Sequence, residues 1–248
     1  PSLTTRAIAG DKSLGVCVRR LSRPAPPPRI DPDRWVAPPA PAPRASGAQP
    51  GALHGSRIYD QPAHAAVAAR VRAFCAPGPP LALEIGVDRG YRLLCHARRW
   101  PAWRWIGVEL RRTLPKAGED TPDNALLVRA DARALVPALV PPGRLARVDI
   151  LFPSPSDNPR HLLLTPDFVE TLRTAFAPGG VLLLRTDLPG LVDTVADLFA
   201  HWQAVPEPLS GPTESRRERV CRQSERPVWT WCLSPPGVDR PQSAPPLD

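Results

Sequence analysis

Carboxylates stand at the ends of short apolar segments of this chain. Glu109 closes one such segment, and Asp131 follows another. An earlier segment contains Glu84 and runs into Gly86 and Gly90. In nucleotide-binding folds, glycines after the first strand let the backbone approach the ligand, and an acid closing the second strand accepts hydrogen bonds from ribose hydroxyls. Glu109 follows Gly86 by 23 residues, a spacing that fits this arrangement.

The first glycine-containing segment helps to choose between two cofactors. Glu84 followed by Gly86-x-x-x-Gly90 fits S-adenosylmethionine better than it fits a dinucleotide fingerprint. Asp131 can accept a hydrogen bond from an adenine amino group, and it can also cap the helix expected to begin at Ala132. A core role for Glu84 is not expected, because an unpaired buried carboxylate is unfavourable. A nicotinamide oxidoreductase is a weaker alternative, since the chain shows no second nucleotide-binding half.

The elements that must position these residues alternate along the chain. Helical stretches separate five short β-branched or leucine-rich segments, at 81–87, 103–110, 125–130, 147–153 and 181–187. This alternation predicts an α/β fold with a mostly parallel sheet and crossover helices, and it places the ligand at the carboxyl ends of the strands. Residues 226–233 predict one more strand, which pairs antiparallel at an edge.

Proline divides the chain into three parts. The 248 residues include 36 prolines, about three times the ordinary share of ~5%. Residues 1–56 are rich in proline and arginine and predict a disordered arm, either a linker or a basic arm that touches RNA. Residues 57–233 have the composition of one packed domain, and residues 234–248 predict a disordered tail.

Charge and cysteine content narrow the functional class. There are 32 basic and 24 acidic residues, a net charge of +8, which suits a polyanionic partner or simply reflects a GC-rich genome. Five cysteines form no C-x-x-C pair, so we expect neither a zinc site nor a disulfide framework, and a cytoplasmic location. No apolar run approaches the ~20 residues that span a bilayer. Trp100, Trp103 and Trp105 are expected to be packing residues rather than a base-stacking platform.

Five separated motifs, in collinear order, carry a resemblance. They are Leu-Glu-Ile-Gly, Gly-Val-Glu-Leu-Arg-Arg, the loop Phe152 to His161, Ala-Pro-Gly-Gly-Val-Leu-Leu-Leu-Arg-Thr-Asp, and Ser215-x-x-Glu218 before Pro-Val-Trp. Over residues 57–233 the chain resembles the tRNA (guanine-N7)-methyltransferase family, as a diverged member. The resemblance implies a Rossmann-like class I methyltransferase fold with helices on both faces of the sheet and an antiparallel C-terminal edge strand.

The resemblance also implies an activity and its residues. It implies methyl transfer from S-adenosylmethionine to N7 of a guanine in the tRNA variable loop, as part of tRNA modification. Glu84, Glu109 and Asp131, with Gly86 and Gly90, match the family's cofactor site. The positions that match substrate-binding residues are Asn158, Arg160, His161, Asp187, Ser215 and Glu218. We expect an arginine rim facing the RNA, formed by Arg160, Arg216, Arg217, Arg219 and Arg222.

Four positions depart from the family motifs. Ser154 stands where the family has its catalytic aspartate, Ser156 replaces a tryptophan, Asn158 replaces a lysine, and Asp88 replaces the middle glycine of G-x-G-x-G. The catalytic group is therefore expected to comprise Ser154, Asp157 and Asp187, with Asp157 compensating for the lost aspartate. Two alternatives stay open: a family member that binds tRNA or cofactor without turnover, and a methyltransferase with another acceptor.

Overall fold

A computed structural model describes residues 64–111, 121–154, 162–207 and 215–237. Six helices lie in these ranges: α1 (Ala65–Phe74), α2 (Tyr91–Arg99), α3 (Ala132–Leu139), α4 (Pro166–Ala175), α5 (Gly190–Leu198) and α6 (Arg216–Gln223). The strands described are β1 (Leu81–Ile85), β2 (Arg104–Glu109), β3 (Ala125–Arg129), β4 (Leu145–Leu151), β5 (Phe176–Thr186), β6 (Gln203–Ala204) and β7 (Trp229–Ser234). The predicted arm, 1–56, lies outside the described residues, as does 238–248 of the predicted tail.

The strands form one sheet in the order β3-β2-β1-β4-β5-β7-β6. Strands β1 to β5 pair in parallel, which confirms the predicted α/β architecture. Strand β7 pairs antiparallel with β5, as expected, and the two-residue β6 lies beyond it. Sequence order reverses between β1 and β4, so the crevice for a ligand opens at the carboxyl ends of these two central strands.

The two faces of the sheet are covered differently. Leu83 and Ile85 of β1 belong to a large apolar core that also contains residues of α1, α3, α4 and α5. Ala82 points the other way and packs with Leu93 and Ala97 of α2. This alternation follows from the two-residue repeat of a strand. It places α2 on the opposite side of the sheet from α1, α4 and α5.

Three tryptophans lie on the α2 side. Trp103 and Trp105 are buried, and Trp100 packs against this cluster. The rings of Trp100 and Trp105 are stacked, with centroids 5.9 Å apart. The packing role predicted for these residues is therefore confirmed. None of the helices in the described ranges has the length and apolar character needed to cross a membrane.

Candidate active site

The turn after β1 opens the crevice. Gly86 is exposed, has a φ of +82°, and has open space where a Cβ would lie. Gly90 has a φ of +75° and is the N-cap of α2, and a Cβ there would lie 2.9 Å from Leu127. Asp88, between them, also has a positive φ, 51°. Aspartate tolerates this conformation better than most residues, so the family's glycine turn keeps a left-handed backbone.

Glu109 is fixed by two backbone amides at the end of β2. The Asp88 amide donates to its Oε2 at 2.9 Å, and the Arg111 amide donates to its Oε1 at 2.8 Å. The residue is only 8% exposed. A carboxylate offers about four lone-pair sites, so each oxygen keeps one for a further donor. Glu109 is thus oriented beside the glycine turn and can accept from two hydroxyl groups.

Asp131 caps α3, as predicted. Its side chain accepts from the Arg133 amide at 2.9 Å, and its oxygens also accept from the Arg133 guanidinium, the shortest contact being 2.7 Å from Nη2. Arg133 in turn donates to the Leu162 carbonyl at 3.1 Å. The Arg133 side chain therefore occupies acceptor sites that an adenine amino group would use. The cofactor role of Asp131 stays a prediction. It requires the Arg133 guanidinium to release at least one of its hydrogen bonds to Asp131.

Glu84 lies below the crevice, inside a buried ion cluster. Arg92 of α2 donates to Glu84 at 2.9 Å and to Asp149 of β4 at 2.7 Å, and Asp149 also accepts from Arg147 at 2.6 Å. Glu84 is 4% exposed, so it is a core residue after all, but a paired one. Burial raises the pKa of Glu84, although the charge of Arg92 opposes the rise. The predicted cofactor contact of Glu84 remains a prediction.

The cluster continues toward α6. Arg147 Nη2 lies 3.6 Å from Glu207 Oε1. The other oxygen of Glu207, Oε2, lies 3.0 Å from Arg185 Nη2. Arg185 of β5 donates to Glu218 of α6. The row of alternating charges thus runs from β1 through β4 and β5 to α6. It ties the strands beneath the crevice to the helix at its rim.

Ser154 lies at the exit of β4. Phe152 has a φ of 52°, and its amide donates to the Arg185 carbonyl at 2.7 Å, which redirects the chain after the strand. Ser154 is exposed, and its Oγ accepts from Arg111 Nη2 at 3.3 Å. Because Arg111 follows β2, this contact crosses from the β2 exit to the β4 exit. The other predicted residues of this loop lie outside the described residues: Ser156, Asp157, Asn158, Arg160 and His161.

Asp187 follows β5 and is paired with α6. Its Oδ2 accepts from Arg217 Nε at 3.1 Å and Nη2 at 2.6 Å, and the side chain is 4% exposed. Burial acts to raise the pKa of Asp187, but the hydrogen bonds and charge of Arg217 outweigh it and hold this pKa below its usual value. Asp187 is therefore an ionised carboxylate at neutral pH, at the same edge of the sheet as Glu109.

Comparisons with known proteins identify this arrangement. A family model described as "Putative methyltransferase" matches residues 79–221, more than half of the chain. The tRNA (guanine-N(7)-)-methyltransferase of Synechococcus sp. (strain JA-2-3B'a(2-13)) is 30% identical over 177 residues, covering 65% of this chain and 74% of that protein. The enzyme of the same name from Synechocystis sp. (strain Kazusa) is 32% identical over 177 residues, covering 62% and 81%. The chain belongs to the tRNA (guanine-N7)-methyltransferase family.

A solved structure is also similar. The crystal structure of the aminoglycoside resistance methyltransferase NpmB1 matches with a TM-score of 0.49 and 21% identity, over 67% of this chain and 92% of that one. Among the residues described for our chain, no group of three or more histidine, cysteine or acidic side chains is arranged to hold a metal ion.

Ser215 and Glu218 match the threonine and glutamate of a tRNA (guanine-N7)-methyltransferase motif, and in this structure they form the capping box of α6. Ser215 Oγ accepts from the Glu218 amide at 3.1 Å, and Glu218 Oε2 accepts from the Ser215 amide at 3.0 Å. Glu218 is 5% exposed, and its other oxygen accepts from Arg185. These contacts start α6 and fix its position. The substrate contacts implied for both residues remain predictions.

Sequence reasoning missed several residues of this family site. Arg92 and Asp149 were not singled out, although Asp149 is a charge within a mostly apolar strand, which is a signal for a buried ion pair. Arg111 was not assigned a role, yet it bridges the β2 and β4 exits. Arg217 was expected to face RNA, and the structure instead pairs it with Asp187.

Proposed function

We propose that this protein transfers a methyl group from S-adenosylmethionine to N7 of a guanine in the variable loop of tRNA. The carrying observation is the pair of oriented carboxylates, Glu109 and Asp187, at the carboxyl edge of the sheet in a chain of this family. Glu109 is set to bind hydroxyls beside a glycine turn, and Asp187 is held ionised by Arg217. We also propose a cytoplasmic location, because unmodified tRNA is the substrate.

The residues at the β1 and β2 exits fit a nucleoside cofactor. Glu109 retains acceptor sites for the two ribose hydroxyls, because its protein donors are two backbone amides. Gly86 leaves open space beside the turn, which suits close approach of a ligand to the backbone. Asp131 stands at the next strand end, where the resemblance implies the adenine contact. S-adenosylmethionine, when bound, supplies a methyl group on a positively charged sulfur.

Methyl transfer to guanine N7 does not require a general base. Guanine N7 carries a lone pair and no proton, so no base has to remove one before attack. The bond from N7 to the methyl carbon forms as the carbon–sulfur bond breaks, and the bonding electron pair stays on sulfur. Positive charge passes from sulfur to the purine ring. The protein's tasks are therefore to align the two reactants and to stabilise charge on the purine.

Asp187 is the carboxylate best suited to the second task among the described residues. It is ionised at neutral pH, and Arg217 restricts its orientation. A fixed carboxylate stabilises a cationic ring more than water does, because it needs no reorganisation during the reaction. Ser154, which replaces the family's aspartate, supplies a hydroxyl without charge. Loss of one such contact typically slows an enzyme by ~10²–10³, so we expect slow but real turnover.

The proposal is tested with radiolabelled S-adenosylmethionine and unmodified tRNA, followed by nucleoside analysis. We expect N7-methylguanine as the labelled product with the full chain, and at least a tenfold lower rate for Asp187→Asn. The matched control is Asp167→Asn, an exposed carboxylate on α4, which should keep the normal rate. A protein that binds both substrates and yields no labelled nucleoside would refute the activity.

One observation favours a second function. Ser154 takes the place of the family's catalytic aspartate. Asp187, the described carboxylate that we assign to charge stabilisation, already forms an ion pair with Arg217. A family member that binds tRNA and cofactor without turnover fits these facts. The same assay separates the two functions, because the binding protein would retain both affinities and give no product.

A further inference from the structure

The outer surfaces of α2 and α6 carry arginine and almost no acid. On α2, Arg98 and Arg99 are exposed, and the helix contains no acidic residue. On α6, the arginines are Arg216, Arg217, Arg219 and Arg222, and the single acid, Glu218, is buried. We define the arginine face as Arg98 and Arg99 of α2 with Arg216, Arg219 and Arg222 of α6. Arg217 belongs to the Asp187 site and is not counted in this face.

The two helices lie next to each other. Tyr91, at the start of α2, is 42% exposed. Its pKa is raised by burial and by the neighbouring Cys95, while the charges of Arg219 of α6 and Arg98 of α2 act against the rise. Burial acts to lower the pKa of Arg92 in α2, but nearby carboxylates raise it, chiefly Asp149 and to a smaller extent Glu218 of α6. Arg92 of α2 and Glu218 of α6 also belong to the same row of buried ion pairs, which places the two helices close together.

The opposite side of the sheet carries charges of both signs, and its helix α1 exposes Arg70 and Arg72. Its helices α4 and α5 expose four carboxylates, those of Asp167, Glu170, Asp193 and Asp197. Arg173 of α4 is already paired with Glu170 at 2.6 Å. Exposed charge is therefore not spread evenly over the described helices. Within α2 and α6 the exposed arginines have no exposed carboxylate beside them.

The arginine face extends the site along the protein surface. Helix α2 begins at Gly90, in the turn that opens the crevice, and Arg98 lies seven residues after Tyr91, about 10 Å farther along the helix. A single guanine in the crevice cannot contact both ends of this surface. A polyanion that passes beside the crevice can contact both, and arginine binds phosphate oxygens bidentately.

We propose that the arginine face binds the ribose–phosphate backbone of the RNA substrate outside the methyl-transfer site, with α2 contributing a phosphate contact separate from α6. This inference rests on the proposed function, since it takes tRNA as the RNA. The exposed Tyr91 ring, beside Arg219 and Arg98, offers a stacking surface for an unpaired base at the same place. Arg98 and Arg99 also stand in the last turn of α2, where cations stabilise the helix dipole, so the test must separate stability from binding.

The test compares two double variants of the full chain. In the first, Arg98→Gln and Arg99→Gln remove two charges from the arginine face. In the matched control, Arg70→Gln and Arg72→Gln remove two exposed charges from α1, on the other side of the sheet. The dissociation constant for unmodified tRNA is measured between about 50 and 200 mM KCl. Thermal unfolding and the affinity for S-adenosylmethionine are measured on the same preparations.

The proposal predicts a loss specific to the α2 variant. We expect about threefold to tenfold weaker tRNA binding, and a plot of log affinity against log salt that is shallower by about 1 to 2. KM for tRNA should rise by a similar factor while kcat stays the same, and the affinity for S-adenosylmethionine should not change. The α1 variant should behave like the original protein.

Three results would overturn the inference, and a fourth bears on the proposed function. Unchanged tRNA affinity in the α2 variant would show that α2 does not contact RNA. An equal loss in the α1 variant would show that only total charge matters. A loss that follows a lower unfolding temperature and weaker cofactor binding would show a merely structural role. An unmodified protein that binds no tRNA would instead refute the proposed function, before either variant is compared.

Discussion

Replacing Glu109 with alanine should weaken cofactor binding far more than it weakens the fold. Glu109 is only 8% exposed and is oriented by the amides of Asp88 and Arg111, so its remaining acceptor sites are fixed in direction. Two hydroxyl hydrogen bonds to a carboxylate contribute about 1.5 kcal/mol each, at the lower end of the range for charged partners. Their loss amounts to about 3 kcal/mol, or a dissociation constant raised about 150-fold.

Calorimetric titration with S-adenosylmethionine measures this change directly. Glu170→Ala is a suitable control, because Glu170 is an exposed carboxylate on α4 whose partner is Arg173 of the same helix. Glu109→Gln keeps one acceptor oxygen and should fall between alanine and the original protein. A dissociation constant for Glu109→Ala within threefold of the original value, in a protein with an unchanged unfolding temperature, would refute the assignment of Glu109 to the ribose.

Three further predictions concern buried ionisable side chains, those of Arg92, His96 and Asp187. Arg92→Met leaves Glu84 and Asp149 short of a partner and should lower the free energy of unfolding by about 3–5 kcal/mol in urea titration. Burial and the charge of Arg92 lower the pKa of His96 to about 3, so the unfolded chain alone binds that proton below about pH 6.5. Stability should therefore fall between pH 6.5 and 4.5, by up to ~1.4 kcal/mol per pH unit, and His96→Leu should reduce this slope. Asp187→Asn should destabilise the protein at pH 7, but not below the lowered pKa of Asp187, when thermal unfolding is followed against pH.

Each of these predictions has an outcome that contradicts it. An Arg92→Met protein as stable as the original would mean that the ion cluster makes no net contribution to the free energy of unfolding. The exposed pair offers a comparison, since Arg173→Met should change the stability far less than Arg92→Met does, because water and salt screen the pair of Arg173 and Glu170. A pH slope that persists in His96→Leu would assign it to other groups. An Asp187→Asn effect that keeps its full size as the pH falls through and below the lowered pKa of Asp187 would show that the effect does not depend on the charge of Asp187.

The sign of each pH effect follows from the direction of its pKa shift. The pKa of His96 is lower in the folded protein, so acidification favours the unfolded state, which binds the proton first. The pKa of Asp187 is also lower in the folded protein, and the charged form is the one that Arg217 stabilises. Its contribution is therefore complete above the unfolded pKa of about 3.9 and disappears as the pH falls through the folded value.

Local signals in the sequence were enough to predict most of the fold. The runs ending at Glu109 and before Asp131 are strands because they are short, apolar and bounded by loop residues, and the parallel pairing of β1 with β2 follows from the helix α2 between them. Asp131 was predicted as a helix cap from its position alone, and it is one. The positive φ of Asp88 likewise agrees with the glycine that the family has there. The two-residue strand β6 had no such signal.

The partners of the buried charges were not predictable in this way. Glu84 meets Arg92 eight residues later, but Arg92 also meets Asp149, which is 57 residues away. Asp187 meets Arg217 across 30 residues. Such contacts depend on which strands become neighbours and on how deeply each side chain is buried, and neither can be read from local spacing. For this reason the sequence predicts a cofactor contact for Glu84, whereas in the structure Glu84 forms a buried ion pair with Arg92.

The most direct measurement is the position of the methyl group on the tRNA. Unmodified tRNA incubated with the full chain and S-adenosylmethionine is treated with borohydride and aniline, which cleave the backbone at N7-methylguanosine. We predict one cleavage site, in the variable loop, that is absent when S-adenosylmethionine is omitted and weaker with Glu109→Ala. Intact tRNA from a protein that binds both substrates, or cleavage only outside the variable loop, would contradict the central claim.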